Sequence, residues 1–200
     1  MDSVDYSRYD SSYKVLRGIL APLFRLGYHP EYFGLENIPK EGAVIICSNH
    51  RYLTDSGYMA LSTDRAIHFL AKKELHSGAF GWFFRLAGTI SVDRSRSHSG
   101  ALEAAEGVLQ QGEIIGIYPE GTRNKTAEAI MPLKFGAVRM AQVTGAPIVP
   151  MAFVRGKRVF LDKSRVYIGK PYHIARDADL EQENRKLREK LKSLYETGKE

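Results

Sequence analysis

Two hundred residues at 22.5 kDa, 44% of them hydrophobic, make one domain-sized chain with enough apolar material for a single core. Charged residues at 26%, basic and acidic intermixed, exclude a disordered or low-complexity polymer, and the lone cysteine, Cys47, excludes a scaffold stapled by internal disulfides, so a reducing cytoplasmic setting is expected. The net charge of +6 raises three partners: nucleic acid, an anionic membrane surface, or a phosphorylated substrate.

The polar, acidic start of the chain is unlike a signal peptide, and no stretch reaches the roughly 18 apolar residues of a membrane-spanning helix. From Tyr13 to His29 there is no acidic residue, and Val15, Leu16, Ile19, Leu20, Leu23 and Phe24 recur at helical spacing beside Lys14, Arg17 and Arg25. This basic amphipathic helix either lies in a membrane interface or packs on the rest of the domain, and Pro22 is expected to kink or split it. Residues 1–30 therefore read as an N-terminal helical segment and 31–200 as the domain proper.

After a loop around Asn37, Pro39 and Gly42, the apolar run 43–47 reads as a buried strand. Similar runs at 66–70, 89–92, 114–118 and 148–154 alternate with helical patterns near 56–62, 72–86, 98–111 and 134–144. Residues 159–161 and 165–168, around Asp162-Lys163-Ser164, look like a hairpin, and 177–196 like a final surface helix. The alternation predicts an α/β fold: one domain with a central mixed, largely parallel sheet flanked by helices and preceded by the amphipathic helix. In such a sheet, chemistry gathers at the carboxyl ends of the strands.

Four junctions there carry chemistry-bearing residues. Ser48-Asn49-His50-Arg51-Tyr52-Leu53-Thr54-Asp55 follows the first strand. On one straight helix His50 and Asp55 would point about 140° apart, so their pairing requires a turn with Asp55 near the start of the next helix. A carboxylate on Nδ1–H would leave Nε2 free as a general base; the plainer alternative is a capping aspartate beside an unrelated histidine. Tyr118-Pro119-Glu120-Gly121-Thr122-Arg123 follows the fourth strand, with a glycine for close approach, a hydroxyl, and a guanidinium suited to phosphate that Glu120 could hold in place. Val92-Asp93-Arg94 offers a second arginine or a surface ion pair, and Lys72-Lys73 at a helix start suits an anion or simply solvent. Cys47, within a strand pattern, reads as core. The aromatic segment 78–86, with Phe80, Trp82, Phe83 and Phe84, reads as a packed core helix or an interfacial patch.

The basic excess lies in the body of the chain: ten Lys/Arg against two acids between Thr122 and Lys170, but seven of each in the last 25 residues. These cations interrupt apolar strands and junctions and form no aromatic-studded basic face, which argues against a nucleic-acid binder.

Together the junctions resemble the 1-acyl-sn-glycerol-3-phosphate acyltransferases and their glycerolipid acyltransferase relatives. The NHxxxxD block of that family is matched by Asn49-His50 through Asp55, its Asp-Arg block by Val92-Asp93-Arg94, its EGTR block by Glu120-Gly121-Thr122-Arg123, and its late block by Pro147-Ile148-Val149-Pro150, all in the family's order. Smaller similarities at Gly34 to Pro39, Lys72 to Leu75, Leu133 to Ala137 and Ile168 to Pro171 extend the likeness over residues 34–171. Two departures are visible: Tyr52 stands where the family often has serine, and the loop holding His76-Ser77-Gly78 lacks a common proline.

The resemblance implies that His50 is the general base and Asp55 its orienting partner. It implies a substrate-binding set of Asn49, Arg51, Lys72, Arg94, Glu120, Gly121, Thr122 and Arg123, with Arg123, Arg94 and Lys72 neutralising a glycerol phosphate and Lys73 as a further helper. The implied reaction takes a fatty acyl group from acyl-CoA or an acyl-carrier-protein thioester to the free hydroxyl of 1-acyl-sn-glycerol 3-phosphate, an anionic lyso-lipid, giving phosphatidic acid in phospholipid biosynthesis. It needs neither metal nor other cofactor, and the enzyme is expected as a peripheral protein on the cytoplasmic face of the cell membrane. Alternatives are acylation of another lysophospholipid, of glycerol 3-phosphate or of a lyso-amino-lipid, a hydrolase or transacylase on the same fold, and a non-catalytic protein that binds anionic lipid.

Overall fold

The computed structural model describes residues 9–79, 81–92, 98–155 and 163–199. Its strands are β1 (Pro30–Phe33), β2 (Val44–Ser48), β3 (Ile67–Lys72), β4 (Ile90–Val92), β5 (Ile114–Ile117), β6 (Ile148–Val154) and β7 (Ser164–Ile168). Its helices are α1 (Tyr9–Tyr28), α2 (Asp55–Leu61), α3 (Lys73–Ser77), α4 (Gly81–Leu86), α5 (His98–Gln110), α6 (Gly136–Thr144) and α7 (Leu180–Thr197), with one 3₁₀ turn at Leu35–Asn37. The strands form one sheet in the order β1-β7-β6-β2-β5-β3-β4, in which, among the described residues, only the β6–β7 strand pairing is antiparallel. This is the mixed, largely parallel α/β domain expected from the alternating pattern.

Every residue of β2 is buried, as a strand covered on both faces requires. Ile45 and Cys47 point into a core built with α5, α6 and α7, through Val108, Leu109, Val138, Leu187 and Leu191. Val44 and Ile46 point into the opposite core, with Tyr58 and Met59 of α2 and Phe24 of α1. Burial pushes the Cys47 thiol far above its ordinary pKa, so it is an inert core residue.

Three elements differ from the sequence expectation. β1 was not foreseen: it is a four-residue edge strand that opens on Pro30 and has β7 as its single partner, so it shows no apolar run. The helix expected over 72–86 is two, α3 and α4, separated at Gly78, where Gly81 N–H turns back to the Gly78 carbonyl at 2.8 Å. α1 passes through Pro22 unbroken. Pro22 is exposed, and the carbonyl it cannot bond belongs to Gly18, also exposed and open to water. The second arm of the expected hairpin is β7, which runs antiparallel to β6; the first arm, 159–161, lies outside the described residues.

α1 rests on α2. The Tyr13 hydroxyl and Arg17 Nε both donate to the Ala60 carbonyl at 3.3 Å, Arg17 pairs with Asp64 at 2.9 Å, and the Phe24 ring meets Tyr58 edge-on at 4.8 Å. Gly57 makes this approach possible, because a β-carbon there would overlap the Phe24 ring. Strand β5 shows a similar device. Gly116 lies opposite Phe69 of β3, and a β-carbon at 116 would come within 2.7 Å of the Phe69 ring and 2.8 Å of Ile67 and Met59. Gly116→Ala is expected to lower unfolding stability by about 1–3 kcal/mol through overpacking, measured by denaturant titration.

Candidate active site

β2 and β5 are parallel neighbours, so the loops that follow them leave the same edge of the sheet side by side. The loop after β2 carries Asn49 to Thr54 and ends at Asp55, the first residue of α2. The turn demanded by the five-residue spacing is present: His50 Nδ1 lies 3.0 Å from Asp55 Oδ2. The same carboxylate oxygen accepts the backbone N–H groups of Arg51 at 2.7 Å and Tyr52 at 2.8 Å. Asp55 is 1% exposed, so these donors replace the water it has lost. An acceptor on Nδ1 fixes the imidazole tautomer with its proton there, and Nε2 is left as the basic nitrogen.

His50 is held through its backbone as well. Its N–H donates to Glu120 Oε1 at 2.9 Å, and its carbonyl accepts from the Asn124 N–H at 2.6 Å, both from the loop after β5. The other oxygen of Glu120 accepts the Met131 N–H at 2.9 Å. This corrects the expectation that Glu120 holds Arg123. The buried Glu120 carboxylate instead clamps two backbone donors, and the Arg123 side chain stands exposed, as does Thr122.

Gly121 adopts a left-handed φ of 72°, and a β-carbon there would come within 2.7 Å of the Lys134 side chain, which lies across the turn. Lys134 is a functional candidate that sequence reasoning passed over, although the Leu133 to Ala137 block containing it was noticed. Its backbone N–H anchors it to the Pro119 carbonyl at 2.8 Å.

Two further members of the expected substrate-binding set are held by the protein's own backbone. The Asn49 amide donates to the Phe153 carbonyl at 3.1 Å and accepts the Phe153 N–H at 2.8 Å, which extends the β2–β6 pairing by one side chain. The Arg51 guanidinium donates to the carbonyls of Thr126 and Glu128 and lies over the Tyr195 ring, 5.6 Å from its centroid, so it braces the loop. Lys72 closes β3 at the same edge of the sheet, and Lys73 begins α3. The Lys72 side chain, with Asp93 and Arg94, lies outside the described residues. Another cation the sequence did not flag is Arg155, just after β6, whose guanidinium lies 4.3 Å from the Tyr52 centroid and 5.7 Å from that of Tyr28. Among the described residues, no group of three or more His, Cys, Asp or Glu side chains is placed to hold a metal ion.

An oriented imidazole at the mouth of a parallel sheet, beside exposed cations on a glycine turn, suits transfer of a group to the hydroxyl of a phosphorylated acceptor. The comparisons with known proteins agree with that class. A family model described as Acyltransferase matches residues 29–154, and the chain belongs to that family of enzymes. It is 33% identical over 179 residues to the 1-acyl-sn-glycerol-3-phosphate acyltransferase of Bacillus subtilis, covering 86% of this chain and 88% of that one. The human 1-acyl-sn-glycerol-3-phosphate acyltransferase alpha is 30% identical over 157 residues, 76% of this chain and 55% of the human one, so this chain spans about half of that longer relative. The crystal structure of the 1-acyl-sn-glycerophosphate acyltransferase of Thermotoga maritima shares the fold with a TM-score of 0.73 at 23% identity, over 97% of this chain and 79% of that one.

The clamp makes a prediction. Glu120→Gln turns an amide nitrogen toward one of the two backbone N–H groups, and the orphaned donor is expected to cost about 1–3 kcal/mol of stability in thermal or denaturant unfolding, with a loss of turnover.

Proposed function

We propose that the protein transfers a fatty acyl group from an acyl-CoA or acyl-carrier-protein thioester to the free hydroxyl of 1-acyl-sn-glycerol 3-phosphate, forming phosphatidic acid. The observation that carries this reading is the His50–Asp55 pair, locked at the carboxyl edge beside the turn that presents Arg123 and Lys134. His50 Nε2 takes the proton of the acceptor hydroxyl as its oxygen bonds to the thioester carbonyl carbon. The tetrahedral adduct then collapses, the carbon–sulfur bond breaks, and the departing sulfur takes that proton back from Nε2. Asp55 holds the imidazole throughout and stabilises the imidazolium. Direct attack needs no acyl-enzyme, consistent with the buried, fully protonated Cys47. The side chains named carry every step, without metal or other cofactor.

Arg123 and Lys134 grip the phosphate away from the reacting bond, so that binding energy aligns the hydroxyl with Nε2. Their exposure suits this role, since among the described residues neither side chain has an ion pair that an arriving phosphate would have to break. Lys72 and Arg94 belong to the same proposed anion site by their positions after β3 and β4.

The lipid substrate is reached from the membrane surface, by a domain spanning 31–200 that the segment 1–30 docks at the cytoplasmic face. Among the described residues, no helix is long and apolar enough to cross a membrane. α1, however, uses both of its apolar faces. Tyr13, Ala21 and Phe24 pack inward, whereas Val15, Ile19, Leu23 and Leu26 face out, Leu26 with 73% of its surface exposed. Adjacent α4, tied to α1 by the Ser12 hydroxyl on the Leu86 carbonyl, adds exposed Trp82 and Leu86. An apolar stripe of this kind, flanked by Lys14 and Arg25, fits an anionic lipid interface.

The reaction is tested by thiol release from acyl-CoA with 1-acylglycerol 3-phosphate in detergent micelles. Acceptor-dependent release is expected from the wild type, lowered about 100- to 10,000-fold in His50→Ala. Arg123→Ala is expected to raise the acceptor KM about ten- to a hundredfold and to depress kcat as well. Release that survives in His50→Ala overturns the base assignment, and an unchanged KM removes Arg123 from the phosphate site. For the membrane surface, the double substitution Leu23→Glu with Leu26→Glu is expected to reduce sedimentation with phosphatidylglycerol vesicles at unchanged unfolding temperature; equal sedimentation overturns the docking of α1.

A further inference from the structure

The imidazole of His50 is fixed by Asp55 along one edge only, and a single hydrogen bond leaves the plane of the ring free to rock. That freedom is removed by an aromatic neighbour outside the histidine block. The Tyr118 ring lies flat against His50, with centroids 4.0 Å apart and planes 14° from parallel. Phe69 is nearly parallel to Tyr118 in turn, with centroids 6.3 Å apart and planes 15° from parallel. The Tyr118 hydroxyl is bonded to Ser56 Oγ at 3.0 Å, and Ser56 is the residue after Asp55 on α2. One end of the phenol is therefore tied to the helix that carries the carboxylate, and its face is tied to the histidine.

We propose that Tyr118 is a positioning residue for the acyl transfer, whose ring face holds the His50 imidazole in plane and stabilises it selectively when it carries the substrate's proton. This inference rests on the assignment of His50 as the base. The selectivity is electrostatic. Against a neutral imidazole, an aromatic face offers mainly dispersion, but against an imidazolium it adds attraction between the cation and the ring quadrupole. In the proposed mechanism His50 carries the substrate's proton between its uptake from the hydroxyl and its return to the sulfur, so the added attraction is realised during transfer.

The surroundings keep this face available. Burial, together with the charge of nearby Asp55, pushes the Tyr118 phenol far above its ordinary pKa, with the Ser56 hydrogen bond opposing in part. The ring is thus a neutral π-surface at working pH and no competitor for the proton. The stack is built from outside the site: the missing side chain at Gly116 makes the space in which Phe69 lies, and Phe69 lies nearly parallel to Tyr118. Hydrophobic packing alone would be met by a leucine at 118. An unbranched aromatic plane parallel to the imidazole is what the proposed role requires.

The test compares Tyr118→Leu, Tyr118→Phe and His50→Ala by acyl-CoA thiol release with 1-acylglycerol 3-phosphate over a range of acceptor concentrations. Tyr118→Leu is expected to lower kcat about tenfold, equal to about 1.4 kcal/mol of barrier, with the acceptor KM within about twofold of wild type. Tyr118→Phe, which restores the ring without the hydroxyl, is expected to recover most of that loss. If the leucine variant does not fold, Tyr118→Met supplies the same volume without a π-face and is read in the same way. Wild-type kcat in the leucine or methionine variant overturns the proposal. So does a phenylalanine variant as slow as leucine, which would place the effect in the hydroxyl, or a KM that rises in step with the fall in kcat, which would mean general collapse of the site. The parallel His50→Ala measurement separates the two levels: full turnover there removes the base assignment itself, whereas an inactive His50→Ala beside an unimpaired Tyr118→Leu removes only the role of Tyr118.

Discussion

The site depends on the way one buried carboxylate joins two loops. Among the described residues no cation pairs with Glu120; it accepts the backbone N–H groups of His50 and Met131, while the Asn124 N–H donates to the His50 carbonyl. Loops that leave adjacent parallel strands carry backbone groups that the sheet no longer satisfies, and burying them unpaired is costly. By meeting that requirement reciprocally, the loop after β5 fixes the main chain of the histidine from both sides. Asp55 then needs only to orient the ring. A charged acceptor suits the clamp, because ionised hydrogen bonds are shorter and stronger than neutral ones.

The clamp is in turn supported from the helical layer. The long segment between β5 and α6 has no regular structure of its own for most of its length, so its carbonyls look outward for donors. α7 provides them: Arg188 donates to the Ile130 and Met131 carbonyls, and Asn184 to that of Leu133. Arg51 supplies two more from the histidine loop itself. α7 and the histidine loop, both distant in sequence, thus hold one loop, and Arg51, a basic residue inside the histidine block, braces it through two carbonyls. On the other face of the sheet, α2 carries Asp55 at its first position and Tyr58 and Gly57 under Phe24 of α1. The helix proposed to meet lipid therefore packs directly on the helix that orients the base.

Much of this was legible in the sequence, for physical reasons that differ by level. Largely buried parallel strands announce themselves as mainly apolar runs between turn residues, so β2 to β6 were placed nearly to the residue, and β1, an edge strand with Pro30 and Glu31, was not. The turn that brings His50 to Asp55 followed from the angular mismatch of a five-residue spacing on a helix. What could not be read is the partner of each polar side chain. Asn49, Arg51 and Glu120 have the residue types of a phosphate site, but their partners are backbone groups orphaned by the fold, and spacing along the chain contains no record of those. The Tyr118 stack is hidden for a related reason: it needs the register that sets Gly116 opposite Phe69, a property of two strands together.

The EGTR turn also shows how four adjacent residues divide between the interior and the solvent. Glu120 is turned inward and spent on the scaffold; Gly121 takes the left-handed conformation that reverses the chain; Thr122 and Arg123 emerge exposed. Had Arg123 been paired with Glu120, an incoming phosphate would have had to break that pair and leave a buried carboxylate uncompensated, at a cost comparable to what the phosphate contact returns. With the glutamate's oxygens satisfied by backbone donors, the arginine stays available to an anion. Lys134, lying over the bare glycine, brings a second cation to the same turn at no cost in backbone strain, since a side chain at 121 would be unfavourable there both sterically and in φ. The inward glutamate is thus the condition for the outward arginine, and the glycine between them is the condition for both.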